Sequence, residues 1–120
     1  VRGRAAELNG AGNLSVTDAT IARWFGAPVP AALAEAARTT RAALESVDPE
    51  GYARTYRLFA HADAAHVERL PGLAMPALFM TGAEDRNSSP AMSAAMARLA
   101  PRGQCEVLEG ERHMMAVASP

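Results

Sequence analysis

Two residues of this chain have the types and the spacing that acid–base chemistry requires. Asp85 follows Gly82 by three positions, and His113 follows Gly110 by three positions. A carboxylate beside an imidazole fixes the ring tautomer and stabilises the imidazolium, while the ring accepts a proton from a nucleophile. Asp85 and His113 are therefore candidates for the acid and the base of a nucleophilic hydrolysis.

Each of these two residues follows a predicted β-strand. The apolar run at 77–81 is bounded by Pro76 and Gly82, which is typical of a parallel strand buried on both faces. A second strand is predicted at 104–108, after a helix that begins at Pro90. The carboxyl ends of parallel strands lie at one edge of a sheet, about 4.8 Å apart, so the two loops can bring the carboxylate to the imidazole.

The first part of the chain has a helical pattern instead. Cap-forming residues at 15–18 precede a helix that Gly26 ends, and an Ala-rich helical segment covers 31–46. Asp48 and Pro49 begin a further helix that ends near residues 61–63. We predict a helical segment at 1–70 and a strand-helix-strand parallel unit at 71–120, which together give an α/β fold class.

Composition excludes several classes of function. The chain is 49% hydrophobic and 21% charged, a globular balance, and its net charge of −1 provides no basic face for nucleic acid. Cys105 is the only cysteine, and the three histidines are scattered, so we expect no metal site and no cofactor. No apolar run reaches the roughly 20 residues that a membrane span needs. With no signal peptide, the sequence predicts a cytoplasmic protein, and it does not indicate the oligomeric state.

The acid and histidine segments resemble the α/β-hydrolase superfamily. Its strand and acid loop follow a pattern of Pro, apolar residues, Gly, Asp and a later Pro, which stands here as Pro76, Leu78, Phe79, Met80, Gly82, Asp85 and Pro90. Its histidine loop stands here as Gly110, His113 and Pro120. The resemblance implies that Asp85 and His113 are the acid and the histidine of a catalytic triad, which occur in this order in the superfamily.

The helical segment resembles the caps of 3-oxoadipate enol-lactonase-like hydrolases, at 23–25 and 48–53. The resemblance implies that 1–70 is a cap and 71–120 is the C-terminal part of the hydrolase core. It also implies a small-molecule ester or lactone as substrate. Residues that could then line the substrate pocket are Trp24, Phe25, Tyr52 and Met114. For the cap aromatics, packing of the helices against each other is the favoured interpretation.

The chain departs from the superfamily at the nucleophile. No Gly-x-Ser-x-Gly segment is present, and the N-terminal oxyanion-hole loop is also missing. The chain begins at Val1 rather than Met. We therefore expect a fragment of a serine hydrolase, inactive alone because loss of the nucleophile costs about 10⁶ in rate in a comparable triad.

Two alternatives remain open. An α/β-hydrolase-fold dehalogenase with an Asp nucleophile, or a C–C bond hydrolase, would keep the same scaffold, and the residue at the missing nucleophile position would distinguish them. A non-catalytic helical binding module would explain the missing nucleophile. It would not explain the spacing of Asp85 and His113.

For the other chemically distinctive side chains, the sequence favours structural roles over catalytic ones. Ser88 and Ser89 are predicted to cap the helix that starts at Pro90. Met92 and Met96, four positions apart, are predicted to form a core stripe. Cys105 is predicted to be inert in a buried strand, and Glu84 to be solvated.

Overall fold

The computed structural model describes residues 13–62 and 64–118. Residues 1–12 of the predicted cap, and Pro120 of the predicted histidine-loop pattern, lie outside the described residues. Contacts divide the chain into two units, Val1–Asp63 and Ala64–Pro120, and each is described by itself.

The first unit is helical where the structure describes it. Its elements are α1 (Asn13–Phe25), a 3₁₀ turn (Ala31–Leu33), α2 (Ala34–Ser46) and α3 (Pro49–His61). Gly26 ends α1 with a φ of 108°, a left-handed conformation that glycine adopts without strain. The predicted stop at Gly26 is thereby confirmed.

Helix α1 begins earlier than the sequence predicts. The predicted N-cap at 15–18 is wrong because these residues already lie inside the helix. Thr17, Ile21 and Phe25 are all buried, at helical spacing, and α1 packs against α2. The burial of Thr17 on this face explains the difference, since tertiary packing outweighs the local preference of Ser, Thr and Asp for caps.

Helix α3 starts and ends as predicted. The Oδ2 of Asp48 accepts a hydrogen bond from the backbone N–H of Gly51 at 2.6 Å, and Pro49 occupies the first turn. This cap satisfies one of the N–H groups that a helix start leaves without a partner.

The second unit contains the predicted strand-helix-strand arrangement. Its elements are a 3₁₀ helix (Val67–Gly72), β1 (Ala77–Gly82), α4 (Pro90–Leu99), β2 (Gly103–Leu108) and a short α5 (Met115–Ala118). β1 and β2 are parallel, in a register that pairs Ala77 with Gly103 and Gly82 with Leu108. Helix α4 packs on both strands. The structure is thus compatible with part of an α/β fold.

The strands are less buried than predicted. Leu78 is 54% exposed and Met80 is 41% exposed, and both alternate with the better-covered Phe79 and Thr81. Cys105 is also exposed, against the prediction of a buried thiol. In the described part of the second unit the sheet has two strands, and one helix, α4, packs on both of them.

The predicted core stripe of methionines is wrong as well. Met92 is 47% exposed and Met96 is 36% exposed, whereas Ser93 of the same helix is buried. A Cβ placed on Gly103 would lie 2.3 Å from the carbonyl oxygen of Ala97, so the helix approaches the sheet very closely at this point. Helix α4 therefore buries the small side chain of Ser93, while both methionines stay partly exposed.

The division into units falls before the predicted boundary between residues 70 and 71. The 3₁₀ helix Val67–Gly72 packs against α4, and it therefore belongs to the second unit. In the parts of the chain that the structure describes, no helix combines the length and the apolar character needed to cross a membrane.

Candidate active site

Two loops leave the carboxyl edge of the sheet side by side. We call residues 83–89, after β1, the acid loop, and residues 109–114, after β2, the histidine loop. The N–H of Ala83 donates to the carbonyl of Leu108, and the N–H of Glu84 donates to the carbonyl of Glu111, both at 2.9 Å. These bonds continue the strand pairing into the loops, so the backbone itself fixes their separation.

Glycines permit this close pairing of the loops. A Cβ on Gly82 would lie 2.3 Å from the carbonyl oxygen of Glu111, nearer than any real Cβ contact. Gly110 has a φ of 74°, so it turns the histidine loop in a conformation that side chains disfavour. The two glycines of the sequence pattern are therefore required for different physical reasons. Gly82 allows the close approach of two backbones, and Gly110 allows a left-handed turn.

Asp85 lies at the centre of the acid loop with both carboxylate oxygens bonded. Its Oδ1 accepts from the backbone N–H groups of Asn87 at 2.7 Å and of Ser88 at 3.0 Å. Its Oδ2 lies 2.9 Å from the Nδ1 of His113. Asp85 is 7% exposed, so these contacts take the place of most of its hydration.

The environment of Asp85 keeps it ionised. Burial raises the pKa of the carboxyl, but the N–H of Ser88, the ring of His113 and the N–H of Asn87 together outweigh burial and bring the pKa below its ordinary value of 3.8. An ionised carboxylate only accepts hydrogen bonds, so the Nδ1 of His113 carries the proton. In the neutral ring, Nε2 then has the lone pair that takes a proton from a nucleophile.

The structure places the two predicted site residues in contact, at the sheet edge where their loops were expected to meet. Their catalytic role stays a prediction. The arrangement matches the acid–base half of a triad, in which the carboxylate holds the imidazole tautomer.

Two further contacts of the acid loop had no signal in the sequence reasoning. Glu84, predicted to be solvated, is exposed but forms an ion pair with Arg112 of the histidine loop. Ser88 was predicted to cap α4. Its carbonyl instead accepts from the hydroxyl of buried Thr81 at 2.6 Å, and its N–H donates to Asp85. Ser89 occupies the predicted N-cap position of α4, directly before Pro90, but its side chain makes no capping bond.

The predicted pocket residues occupy different environments within their own units. Phe25 is 1% exposed in the core of the first unit, which favours the packing alternative for that residue. Trp24 is half-buried, and the ring of half-buried Tyr52 lies 5.9 Å from that of Tyr56. In the second unit Met114 is half-buried immediately before α5. Their contact with a substrate stays a prediction.

Comparison with known proteins supports a relationship to a hydrolase. The chain is 34% identical over 115 residues to (E)-2-((N-methylformamido)methylene)succinate hydrolase of Acinetobacter baylyi. The match covers 96% of this chain and 43% of that protein, so the chain spans less than half the length of this relative. No protein-family profile matches the chain, and no solved structure matches it.

Proposed function

We propose that this chain forms the cap and the C-terminal part of an α/β-hydrolase. In this proposal 1–70 is the cap and 71–120 belongs to the catalytic core. Asp85 orients His113, and His113 acts as the general base for a serine that lies outside this chain. The chain alone is then inactive.

The contact between Asp85 and His113 carries this proposal. The carboxylate is buried, ionised and bonded on both oxygens, and it lies 2.9 Å from the ring nitrogen it must hold. A solvated loop aspartate needs none of these features. The order of acid and histidine, and their separation by one helix and one strand, agree with a superfamily triad.

The resemblance of the cap favours an ester or a lactone as the bond hydrolysed. In both, a serine attacks an acyl carbonyl while His113 takes its proton and later returns it to the leaving oxygen. Trp24, Tyr52 and Met114 would contact the substrate in this proposal.

The relative supports a second candidate, hydrolysis of an amide. The substrate in its name carries a formamide and the two carboxylates of a succinate. An amide carbonyl is attacked by the same nucleophile, and the imidazolium then protonates the leaving nitrogen. A dicarboxylate with an amide bond is therefore the alternative to an ester or lactone.

A chimera tests the role of this chain. This chain would replace the matching region of the Acinetobacter baylyi hydrolase, which would supply the remainder of the protein. We expect the chimera to hydrolyse para-nitrophenyl acetate, δ-valerolactone or the formamide of the relative, and the preferred compound identifies the substrate class. His113→Ala should reduce turnover at least about 10³-fold, because the base is lost. Near-parent turnover by the folded variant would contradict the proposal.

The coding sequence upstream of Val1 provides a faster test. A Gly-x-Ser-x-Gly segment after an apolar strand would identify a serine hydrolase. An Asp in place of that Ser would favour the dehalogenase alternative. An upstream sequence with no strand-nucleophile-helix pattern would instead favour the non-catalytic binding module.

A further inference from the structure

Thr81 is a buried polar residue at the base of the acid loop. It is 2% exposed, and it lies one position before Gly82 at the end of β1. Its hydroxyl donates to the carbonyl oxygen of Ser88 at 2.6 Å, and this bond joins residues seven positions apart. The contact therefore closes the acid loop across its two ends.

Ser88 is also one of the two residues, with Asn87, whose backbone N–H groups hold Asp85. Its N–H donates to Oδ1 of Asp85 at 3.0 Å, while Oδ2 faces His113. Thr81 is thus linked to the Asp85–His113 pair through the backbone of Ser88, which accepts from Thr81 through its carbonyl and donates to Asp85 through its N–H. A bond that holds the Ser88 backbone in place therefore also limits where its N–H can lie relative to Oδ1.

We propose that Thr81 is a positioning residue, which presents the Asp85 carboxylate to His113 by anchoring Ser88. The strand gives Thr81 a fixed place in the sheet, whereas the acid loop has no regular structure between Ala83 and Ser89. The hydrogen bond from the Thr81 hydroxyl fixes the position of Ser88, at the far end of the loop, relative to β1. Its catalytic consequence rests on the proposed function, but its effect on Asp85 does not.

The donor set of the carboxylate gives a second reason. Burial raises the pKa of Asp85, and the hydrogen bond from the N–H of Ser88 lowers it more than any other single hydrogen bond does. If the anchor of Ser88 is removed, this N–H moves away from Oδ1 and the ionised form of Asp85 loses stabilisation. Loss of the Thr81 hydroxyl should therefore change the pKa of Asp85, which can be measured directly.

Substitution of the hydroxyl tests the proposal in this chain. Thr81→Val keeps the branched shape and removes the donor, whereas Thr81→Ser keeps the donor and removes a methyl group. Titration of the Asp85 carboxyl carbon by NMR should show a higher pKa in Thr81→Val than in the parent, with the parent pKa retained in Thr81→Ser. Ser93→Ala, which removes another buried hydroxyl of the second unit, is the control and should leave Asp85 unchanged.

The catalytic consequence is measured separately in the chimera. Thr81→Val should reduce kcat about tenfold with little change in KM, since a misdirected base slows the chemical step and leaves substrate binding intact. Thr81→Ser should restore kcat. If His113→Ala had no effect on turnover, the proposed function would fail, while the NMR result would still decide the role of Thr81.

Several outcomes overturn the inference. One is an unchanged Asp85 titration in folded Thr81→Val, and another is a Thr81→Ser variant that behaves like Thr81→Val. Should Thr81→Val fail to fold, the parent chain decides. Its Thr81 hydroxyl proton must then be visible, slow to exchange and scalar-coupled to the Ser88 carbonyl, and a freely exchanging hydroxyl would refute the anchor.

Discussion

The two units of the chain use their charged side chains differently. Among the described residues of the first unit, three ion pairs join residues three or four positions apart on one helix: Arg38–Glu35, Arg41–Glu45 and Arg54–Glu50. These pairs are exposed, so solvent screens them and each contributes little to helix stability. Arg41 also reaches Asp18, which joins α2 to α1 at the surface.

In the second unit, the pairs join separate loops. Asp85 and His113 are 28 residues apart, and Glu84 pairs with Arg112 across the same two loops. A pair within one helix forms wherever the helix forms, whereas a pair between loops requires the sheet to be in register. Charge pairs along a helix therefore support local structure, whereas pairs between loops depend on the tertiary fold and can define a site.

The largest expected difference concerns activity. In the chimera, Asp85→Asn should reduce kcat by about 10⁴, because an amide fails to hold the required tautomer of His113. The matched change in the first unit, Glu50→Gln, removes an exposed helix pair and should leave kcat unchanged. Steady-state kinetics of both variants check this, and equal effects would remove the functional distinction between the two kinds of pair.

The next difference concerns the backbone. Gly82→Ala should lower the free energy of unfolding by about 2–3 kcal/mol, because the new methyl group meets the Glu111 carbonyl. Gly51→Ala in the first unit meets only the movable Asp48 carboxylate, and Gly72→Ala meets nothing within 4 Å. Urea denaturation should show less than about 1 kcal/mol for these two controls. A harmless Gly82→Ala would mean that the two loops are further apart than described.

The dependence of stability on pH should also reveal the contribution of Asp85 in the second unit. The pKa of Asp85 is lowered in the folded chain, so its contribution to stability is present above the ordinary value of 3.8 and is lost as pH falls through the lowered value. Urea melts between about pH 6 and about pH 2 should therefore show a loss in the parent that Asp85→Asn lacks. Parallel curves for the two proteins would contradict the assigned ionisation.

The smallest effect concerns helix starts. Asp48→Ala in the first unit should cost about 1 kcal/mol, since the bond to the Gly51 N–H is lost. Ser89→Ala at the equivalent position of α4 should cost less than about 0.5 kcal/mol, because Ser89 makes no capping bond. Thermal denaturation of both variants measures the difference, and a larger loss at Ser89 would reverse the comparison.

Patterns within about five residues were predicted well. The cap at Asp48, the stop at Gly26 and the two strands follow from local chemistry, and the structure confirms them. The prediction that Leu78, Met80 and Cys105 are buried is wrong. The apolar pattern of a strand does not show which other strands and helices cover it, and burial depends on that cover. The prediction that the methionines of α4 lie in the core is wrong for a related reason. Which face of a helix is buried depends on the surface against which the helix packs.

The amino-acid types and their order are enough to identify the residues that could form the site. Asp85 and His113 have the required types, each follows a strand after a glycine, and the order of the elements places both at one edge of a sheet. How Asp85 is held, in contrast, depends on the folded chain. The hydroxyl of Thr81, the N–H of Ser88 and the close approach of Gly82 to Glu111 act across separate parts of the chain. No periodic pattern in the sequence indicates such contacts, because they depend on distances that are set only when the two strands have paired.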